Sequence, residues 1–270
     1  MARDLIVIPA RWGSTRLPGK PLVPVAGRAL LARVIDMGLT AARLAGDTDV
    51  MVATDDARIV ALAEQCGVAA AMTDAAITTG SGRVLAAVRT RADAPATVVN
   101  LQGDAPFTPP AIIARLLTTI RDAAEPVVTP VVPLGWDALD SLRRHKLTSP
   151  FSGTTAIVGP DDRAVWFSKT IIPAIRNEER LRLTSPSSPV FQHVGLYAYR
   201  LDALARFEAT PPTPYERLEE LEQLRFLEMG MAILAVRCDS PPLALTGIDT
   251  LEDVRRAEAL IAARGEPLAA

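Results

Sequence analysis

Three cations, Arg11, Arg16 and Lys20, fall within ten residues of one another, interleaved with Gly13, Gly19, Ser14 and Thr15. Guanidinium forks and a lysine point charge are the groups that hold a polyphosphate, and glycines let the backbone approach it closely. The spacing is not that of a P-loop, because five residues separate Gly13 from Gly19 and Pro21 follows Lys20. It is not a dinucleotide fingerprint either, which sets aside a nicotinamide dehydrogenase. Read without context, the same segment is also a plain solvated basic loop.

Two aspartates offer the complementary charge. Asp104 closes Asn100-Leu101-Gln102-Gly103-Asp104, and Asp249 lies in Gly247-Ile248-Asp249-Thr250, far along the chain. Two carboxylates with phosphate oxygens and waters satisfy Mg²⁺, which takes few protein ligands. Each is equally readable as a helix cap, Asp249 for a helix beginning near Leu251.

The elements that must position these residues are legible as periodicity. Asp4-Leu5-Ile6-Val7-Ile8, ended by Pro9, reads as a buried parallel strand, and Leu30, Leu31, Val34, Ile35 and Leu39 recur at helical spacing. Val50–Ala53, Val68–Met72, Thr97–Leu101 and Val127–Val132 read as further strands. Helices are expected after Thr54 (as cap), from Ser81 to Thr90, and around Ile112–Leu117. This alternation predicts an α/β fold with a mostly parallel central sheet, whose strand ends carry both charged segments. Farther on, Thr155–Val158 and Ala164–Phe167 flank a hairpin turn, and Val190–Tyr199 reads as one strand. Tyr215–Glu228 reads as one amphipathic helix, followed by a strand at Ala232–Val236 and a helix at Leu251–Ala263. The expectation is one domain over residues 1–265, with an embedded antiparallel subregion near 135–200 for acceptor binding or dimerisation.

Composition narrows the classes. Lys plus Arg is 29 against 31 Asp plus Glu, a net charge of −2, so there is no basic excess for a nucleic-acid backbone. Two cysteines, Cys66 and Cys238, and two histidines, His145 and His193, exclude a disulfide framework and a multi-histidine zinc centre. No stretch approaches the roughly 18 apolar residues of a membrane span, and no long apolar leader precedes Pro9, so a cytoplasmic setting is expected.

The chain resembles the 3-deoxy-manno-octulosonate (Kdo) cytidylyltransferases. The likeness lies in Ile8-Pro9-Ala10-Arg11, Ser14 to Leu22, Val52-Ala53-Thr54-Asp55, Asn100 to Pro106, Phe167-Ser168 and Ile172-Pro173. It continues through His193 to Arg200, Leu221 to Arg225 and Gly247 to Thr250. It implies a three-layer αβα fold of the nucleotide-diphospho-sugar-transferase type, a homodimer, and transfer of CMP from CTP to an acidic acceptor with Mg²⁺. The acceptor's own oxygen attacks the α-phosphorus and pyrophosphate leaves, with no protein nucleophile. By position, Arg11, Lys20 and Asp104 are catalytic, and Ala10, Gly13, Ser14, Arg16, Thr79, Gly80, Arg83 and Gln102 join Arg11 and Lys20 around the nucleotide. Asp104 and Asp249 bind the metal, and Gln102, His193, Tyr197 and Glu216 face the acceptor.

The chain departs from the family at definite points. Where Ala-Asp-His-x-Ser-Gly-Thr-Glu-Arg is usual, Ala75-Ala76-Ile77-Thr78-Thr79-Gly80-Ser81-Gly82-Arg83 stands, without the acid, the histidine and the second acid. Asp104 is followed by Ala105 rather than glutamate. The lysine usual near Thr154-Thr155 is missing, and the extra stretch His145–Gly153 is flanked by Arg143, Arg144 and Lys146. A pocket with fewer hydrogen-bond partners favours a small charged acid, such as phosphonoformate, over a polyhydroxylated one, while the resemblance implies a Kdo-like sugar acid, and both acceptor readings stay open. Other readings stay open: a non-catalytic nucleotide-binding module, His193 as structural, Trp12 as a nucleotide cover or a loop anchor, and the stripe of Glu216, Glu219 and Glu222 as mostly a solvated face with Glu216 alone in the site and Arg225 paired to Glu222.

Overall fold

The computed structural model describes residues 3–14, 16–239 and 247–266. The chain opens with β1 (Asp4–Ala10), a 3-10 turn at Lys20–Leu22, the ribbon β2 (Pro24–Val25) and β3 (Arg28–Ala29), and α1 (Leu30–Ala45). β4 (Thr48–Thr54), α2 (Ala57–Gln65), β5 (Ala69–Met72), α3 (Gly80–Val88), β6 (Thr97–Asn100) and α4 (Pro110–Asp122) follow. Next come β7 (Val127–Gly135), α5 (Trp136–Lys146), β8 (Thr154–Val158), β9 (Ala164–Ser168) and α6 (Glu178–Thr184). The rest is β10 (Ser187–His193), β11 (Tyr197–Arg200), α7 (Leu201–Ala209), α8 (Pro214–Glu219), α9 (Glu222–Glu228), β12 (Ile233–Arg237) and α10 (Leu251–Arg264).

Two compact units emerge, one comprising Met1–Arg121, Leu196–Glu208 and Pro241–Ala270, the other Asp122–Gly195 and Ala209–Ser240. In the first, the strands run β5-β4-β1-β6-β11. The first four are parallel and β11 is antiparallel to β6. Ile6, Val7, Ile8, Val98 and Val99 are fully buried, which is why their segments read as unbroken apolar runs. β1 continues through Pro9. Val7 bonds toward β6, whose register ends at that residue, so the N–H that Pro9 lacks has no ladder partner to lose.

A small apolar cluster lies beneath the ends of these strands. Leu17 from the cationic loop, Phe107 from the segment after Asp104, and Ile248 beside Asp249 pack with Val25, Leu30, Val254 and Ala257 of the flanking ribbon and helices. Each such burial contributes about 1.5–3 kcal/mol. The cluster therefore holds three distant pieces of chain in one place.

In the second unit β12 lies parallel to β7, and β7, β10, β8 and β9 are antiparallel in that order. The expected hairpin is β8–β9, closed by a Gly159 N–H to Arg163 bond with Asp162 left-handed at φ 59. Of the span 135–200, where an antiparallel excursion is expected, β8, β9 and β10 belong to this unit and β11 to the first.

Several local expectations need correction. Tyr215–Glu228 is not one helix: Glu220 is left-handed (φ 51), ends α8, and lets α9 start afresh at Glu222. Val190–Tyr199 is likewise two strands, β10 and β11, interrupted at residues 194–196. Asp56, not Thr54, caps α2 by accepting from Arg58 N–H. The helices α5, α6 and α7 have no counterpart in the sequence reading; α5 buries only Leu139 and α6 none, so neither carries a clear apolar stripe.

One buried charge anchors the outer end of β1. Asp4, 5% exposed, accepts from Arg121 Nε at 2.6 Å and from Thr97 Oγ1 at 2.5 Å, tying α4 and β6 to β1. Asp4→Ala should cost about 2 kcal/mol, since a charge-assisted bond is lost and a buried hydroxyl is stranded. Urea unfolding checks this, and an unchanged midpoint would contradict it.

Candidate active site

β1 delivers the chain to Arg11, and the loop beyond it is pinned before it reaches Lys20. Trp12 donates its backbone N–H to Asp55 Oδ1 at 2.9 Å, and its ring lies 3.3 Å beneath the Arg58 guanidinium carbon. Gly19 is left-handed (φ +66), and a β-carbon there would sit 2.8 Å from the indole. Glycine is required twice over, once for the backbone and once for the ring against it. Trp12 thus acts as the loop's anchor. Gly13 differs, because a β-carbon there would meet nothing within 4 Å.

Behind the loop, β6 exits across β1. A β-carbon on Gly103 would fall 2.5 Å from the Pro9 carbonyl oxygen, so only glycine lets the two strand ends cross. That crossing places Asp104 beside Lys20. The segment before α10 docks there too: Ile248 N–H donates to the Asp104 carbonyl at 2.8 Å, and Gly247 rests against the Asp104 carboxylate. Asp249 does not cap α10. Thr250 does so, with Asp253 reciprocating as a capping box, and the Asp249 carboxylate is left to the cations.

Lys20 joins the pair. Its ammonium donates to Asp104 Oδ2 at 2.6 Å and to Asp249 Oδ1 at 3.0 Å, while Arg16 reaches the other Asp249 oxygen at 3.1 Å. Burial works against the ammonium, but the two carboxylates outweigh it and its pKa stands above the ordinary lysine value.

A cleft of about 240 Å³ opens over this cluster. It gathers Ala10, Arg11, Ser14, Arg16, Lys20, Thr79, Gly80, Arg83, Gln102, Asp104 and Asp249, all anticipated from sequence. Pro9, Pro21, Thr78 and Gly103 also line it and were not singled out. For Gly103 the signal was present in its place between Gln102 and Asp104. Gly13 is not among the lining residues, and Thr15 lies outside the described residues. Four cations against two carboxylates leave the cleft positive, the sign a polyphosphate needs.

The far wall is α3. Thr79 Oγ1 caps it by accepting from Gly82 N–H at 3.1 Å. Arg83 is 2% exposed and donates to Thr73 Oγ1 at 2.5 Å and to the Ile77 carbonyl at 2.8 Å, with Asp55 at 3.3 Å. Burial lowers its pKa, against the pull of Asp55. Gln102 donates to Asn100 Oδ1 at 3.2 Å, which fixes the amide at the cleft edge. At Gly82 a β-carbon would lie 2.9 Å from Glu208 Oε2 of α7, so that carboxylate fills the space a side chain at 82 would take.

Of the residues expected to face the acceptor, Gln102 lines the cleft and belongs with Tyr197 to the first unit, while His193 and Glu216 belong to the second. Tyr197 is in the first unit, 8% exposed and stacked on Tyr199 at 5.8 Å, and does not line the cleft. His193 ends β10 in the second unit, so the two do not share a strand as expected. Its Nε2 is 2.8 Å from Thr129 Oγ1, and Phe167 meets the ring edge-on. Burial, with Lys169 adding to it, lowers the His193 pKa to about 3, so the ring is neutral. Glu216, also in the second unit, is 7% exposed and gripped by the Arg225 guanidinium, Nε at 2.6 Å from Oε2, within its own capping box. Glu219 accepts from Ser168 Oγ at 2.8 Å and Lys169 N–H at 2.6 Å. The stripe read as a solvated face is therefore interior at Glu216 and bonded at Glu219.

The cations beside the extra stretch are spoken for as well. Arg143 holds Glu178 with two 2.7 Å bonds, and Lys146 donates to the carbonyls of Pro150, Ser152, Gly153 and Lys169. Arg143 and Lys146 brace α5, α6 and the 147–153 segment, while Arg144 is exposed and donates to Ser141 Oγ at 2.9 Å.

A family model described as cytidylyltransferase matches residues 5–233. The 3-deoxy-manno-octulosonate cytidylyltransferase of Maricaulis maris (strain MCS10) is 40% identical over 263 residues, which span 97% of this chain and 98% of that protein. The enzyme of the same description from Anaeromyxobacter sp. (strain Fw109-5) is also 40% identical, with the same coverage. Among solved structures, a CMP:2-keto-3-deoxy-manno-octonic acid synthetase in complex with CTP superposes with a TM-score of 0.82 at 32% identity, over 97% of this chain and 99% of that one. No helix of the described residues is long and apolar enough to cross a membrane.

Two outcomes are expected. Gly103→Ala should lose about 1–3 kcal/mol from the clash with the Pro9 carbonyl, and turnover with it as Asp104 moves; differential scanning calorimetry and a rate assay read both. His193 has its pKa lowered on folding, so its contribution is complete above about pH 6.5 and is lost as the pH falls toward about 3. In that window the group should remove about 1.4 kcal/mol per pH unit, and His193→Gln should flatten the slope measured by urea titrations at several pH values.

Proposed function

The chain belongs to the 3-deoxy-manno-octulosonate cytidylyltransferase family, and on that premise we propose that it joins CMP from CTP to a Kdo-class sugar acid. The acceptor hydroxyl oxygen forms the new bond to the α-phosphorus as its proton passes to solvent, the bond from that phosphorus to the bridging oxygen of the β-phosphate breaks, and pyrophosphate carries the electron pair away. Arg11, Arg16, Lys20 and Arg83 face the triphosphate and offset its charge, Gln102, Thr79 and Gly80 border the nucleotide, and Ser14 adds a hydroxyl. Such a site works by positioning and charge neutralisation.

Asp104 and Asp249 suit a divalent ion, Mg²⁺ by their oxygen chemistry, because they already converge on a cation in the form of Lys20. Among the described residues no third carboxylate, histidine or cysteine completes a cage, so phosphate oxygens and waters would supply the rest. When bound, the ion screens the phosphates and stabilises charge on the departing pyrophosphate. The convergence of Asp104, Asp249 and Lys20 under a positive cleft is the observation that carries this reading. A homodimer and a cytoplasmic reaction complete the proposal, and sedimentation velocity tests the first.

A second acceptor, a compact phosphonate such as phosphonoformate, is favoured by one observation, the apolar run Ala75-Ala76-Ile77 where acid and histidine are usual. Pyrophosphate release measured with each nucleoside triphosphate and with Kdo, phosphonoformate or no acceptor separates the two. CTP with Kdo and Mg²⁺ should turn over fastest, and chelation should abolish the rate until Mg²⁺ is restored. Preference for phosphonoformate would replace the sugar acid, and a rate indifferent to chelator would remove the metal. Asp249→Asn should lower kcat by about a hundredfold with the circular dichroism unchanged.

A further inference from the structure

We propose that Lys20 is a placeholder cation, filling the gap between Asp104 and Asp249 in the nucleotide-free enzyme so that the divalent ion enters only together with the nucleotide. The inference rests on the reading of those two aspartates as metal carboxylates and deepens it.

The geometry leaves little room for both cations. The Lys20 ammonium hydrogen-bonds one oxygen of each carboxylate, and its side chain is 16% exposed. Arg16 holds the second oxygen of Asp249. A divalent ion at these carboxylates would stand against one ammonium and one guanidinium already bonded to them, and like charges so close repel strongly in a half-buried site. Mg²⁺ also gives up its waters reluctantly, so it gains little by competing for occupied oxygens. Metal binding to the free enzyme is therefore weak.

A triphosphate changes the balance. Its oxygens are stronger acceptors for Lys20 and Arg16 than a pair of shared carboxylates, and they enter through a cleft that both cations line. Once the lysine and arginine turn to the phosphates, Asp104 and Asp249 are left as uncompensated anions facing further phosphate charge, and a dication becomes the favoured neighbour. Nucleotide and metal thus raise each other's affinity by the same factor, as linkage requires. The free enzyme keeps its carboxylates together without a metal, and a metal alone does not trap it.

The test measures enzyme-bound Mn²⁺ on the full chain by electron paramagnetic resonance, with and without CTP and with no acceptor present. Wild type should bind Mn²⁺ at least about tenfold more tightly with CTP than without it. Lys20→Met without nucleotide should bind at least about tenfold more tightly than nucleotide-free wild type, and the further gain on adding CTP should be smaller than the gain in wild type. Arg11→Met removes a cleft charge that touches neither carboxylate, and should shift nucleotide-free Mn²⁺ binding by less than about twofold. Lys20→Gln serves as a second form should the methionine variant fail to fold. Nucleotide-free wild type binding as tightly as the Lys20 variants, or Arg11→Met producing the same gain, would overturn the lysine proposal alone. If Asp104→Asn and Asp249→Asn leave Mn²⁺ binding with CTP unchanged, the metal reading fails and the placeholder with it.

Discussion

Everything in the cleft depends on a handful of apolar contacts beneath it. Leu17, Phe107 and Ile248 each sit within three residues of a charged group that matters, and all three bury in the same cluster. Bringing two carboxylates together in a folded chain is unfavourable unless something else holds them and something neutralises them. The cluster does the first and Lys20 the second. Chemistry at the surface of this unit is positioned by oil below it.

The same division explains what the amino-acid order disclosed. Buried parallel strands advertise themselves as apolar runs, and glycine-rich cationic loops at their ends are local patterns, so β1, β4, β6 and the residues lining the cleft were readable. What escaped were partnerships between residues remote in sequence. The ion pair of Glu216 was hidden because its partner Arg225 belongs to a helix that begins only after a left-handed residue. Asp249 and Thr250 were equally plausible caps, and only the reciprocal bond from Asp253 decides between them. The strand break at residues 194–196 separated His193 from Tyr197, and nothing in an alternation pattern reveals a break that falls at Gly195 rather than a proline.

Charge in the second unit shows how composition misleads. Arg143 and Lys146 are conspicuous in sequence, yet one is neutralised by Glu178 and the other is wrapped in carbonyl oxygens. These two cations brace the scaffold. Those of the first loop differ because the carboxylates they touch are few and shared, so an incoming anion can claim them.

The contact between Gly82 and Glu208 carries a consequence for substitution at this corner of the cleft wall. A β-carbon at 82 would meet the Glu208 carboxylate and, closer still at 2.7 Å, the Thr79 hydroxyl that caps α3. The carboxylate ends a flexible side chain and can swing aside, whereas the hydroxyl is held by its bond to the Gly82 N–H, so bulk at this position loosens the start of the helix before it disturbs α7.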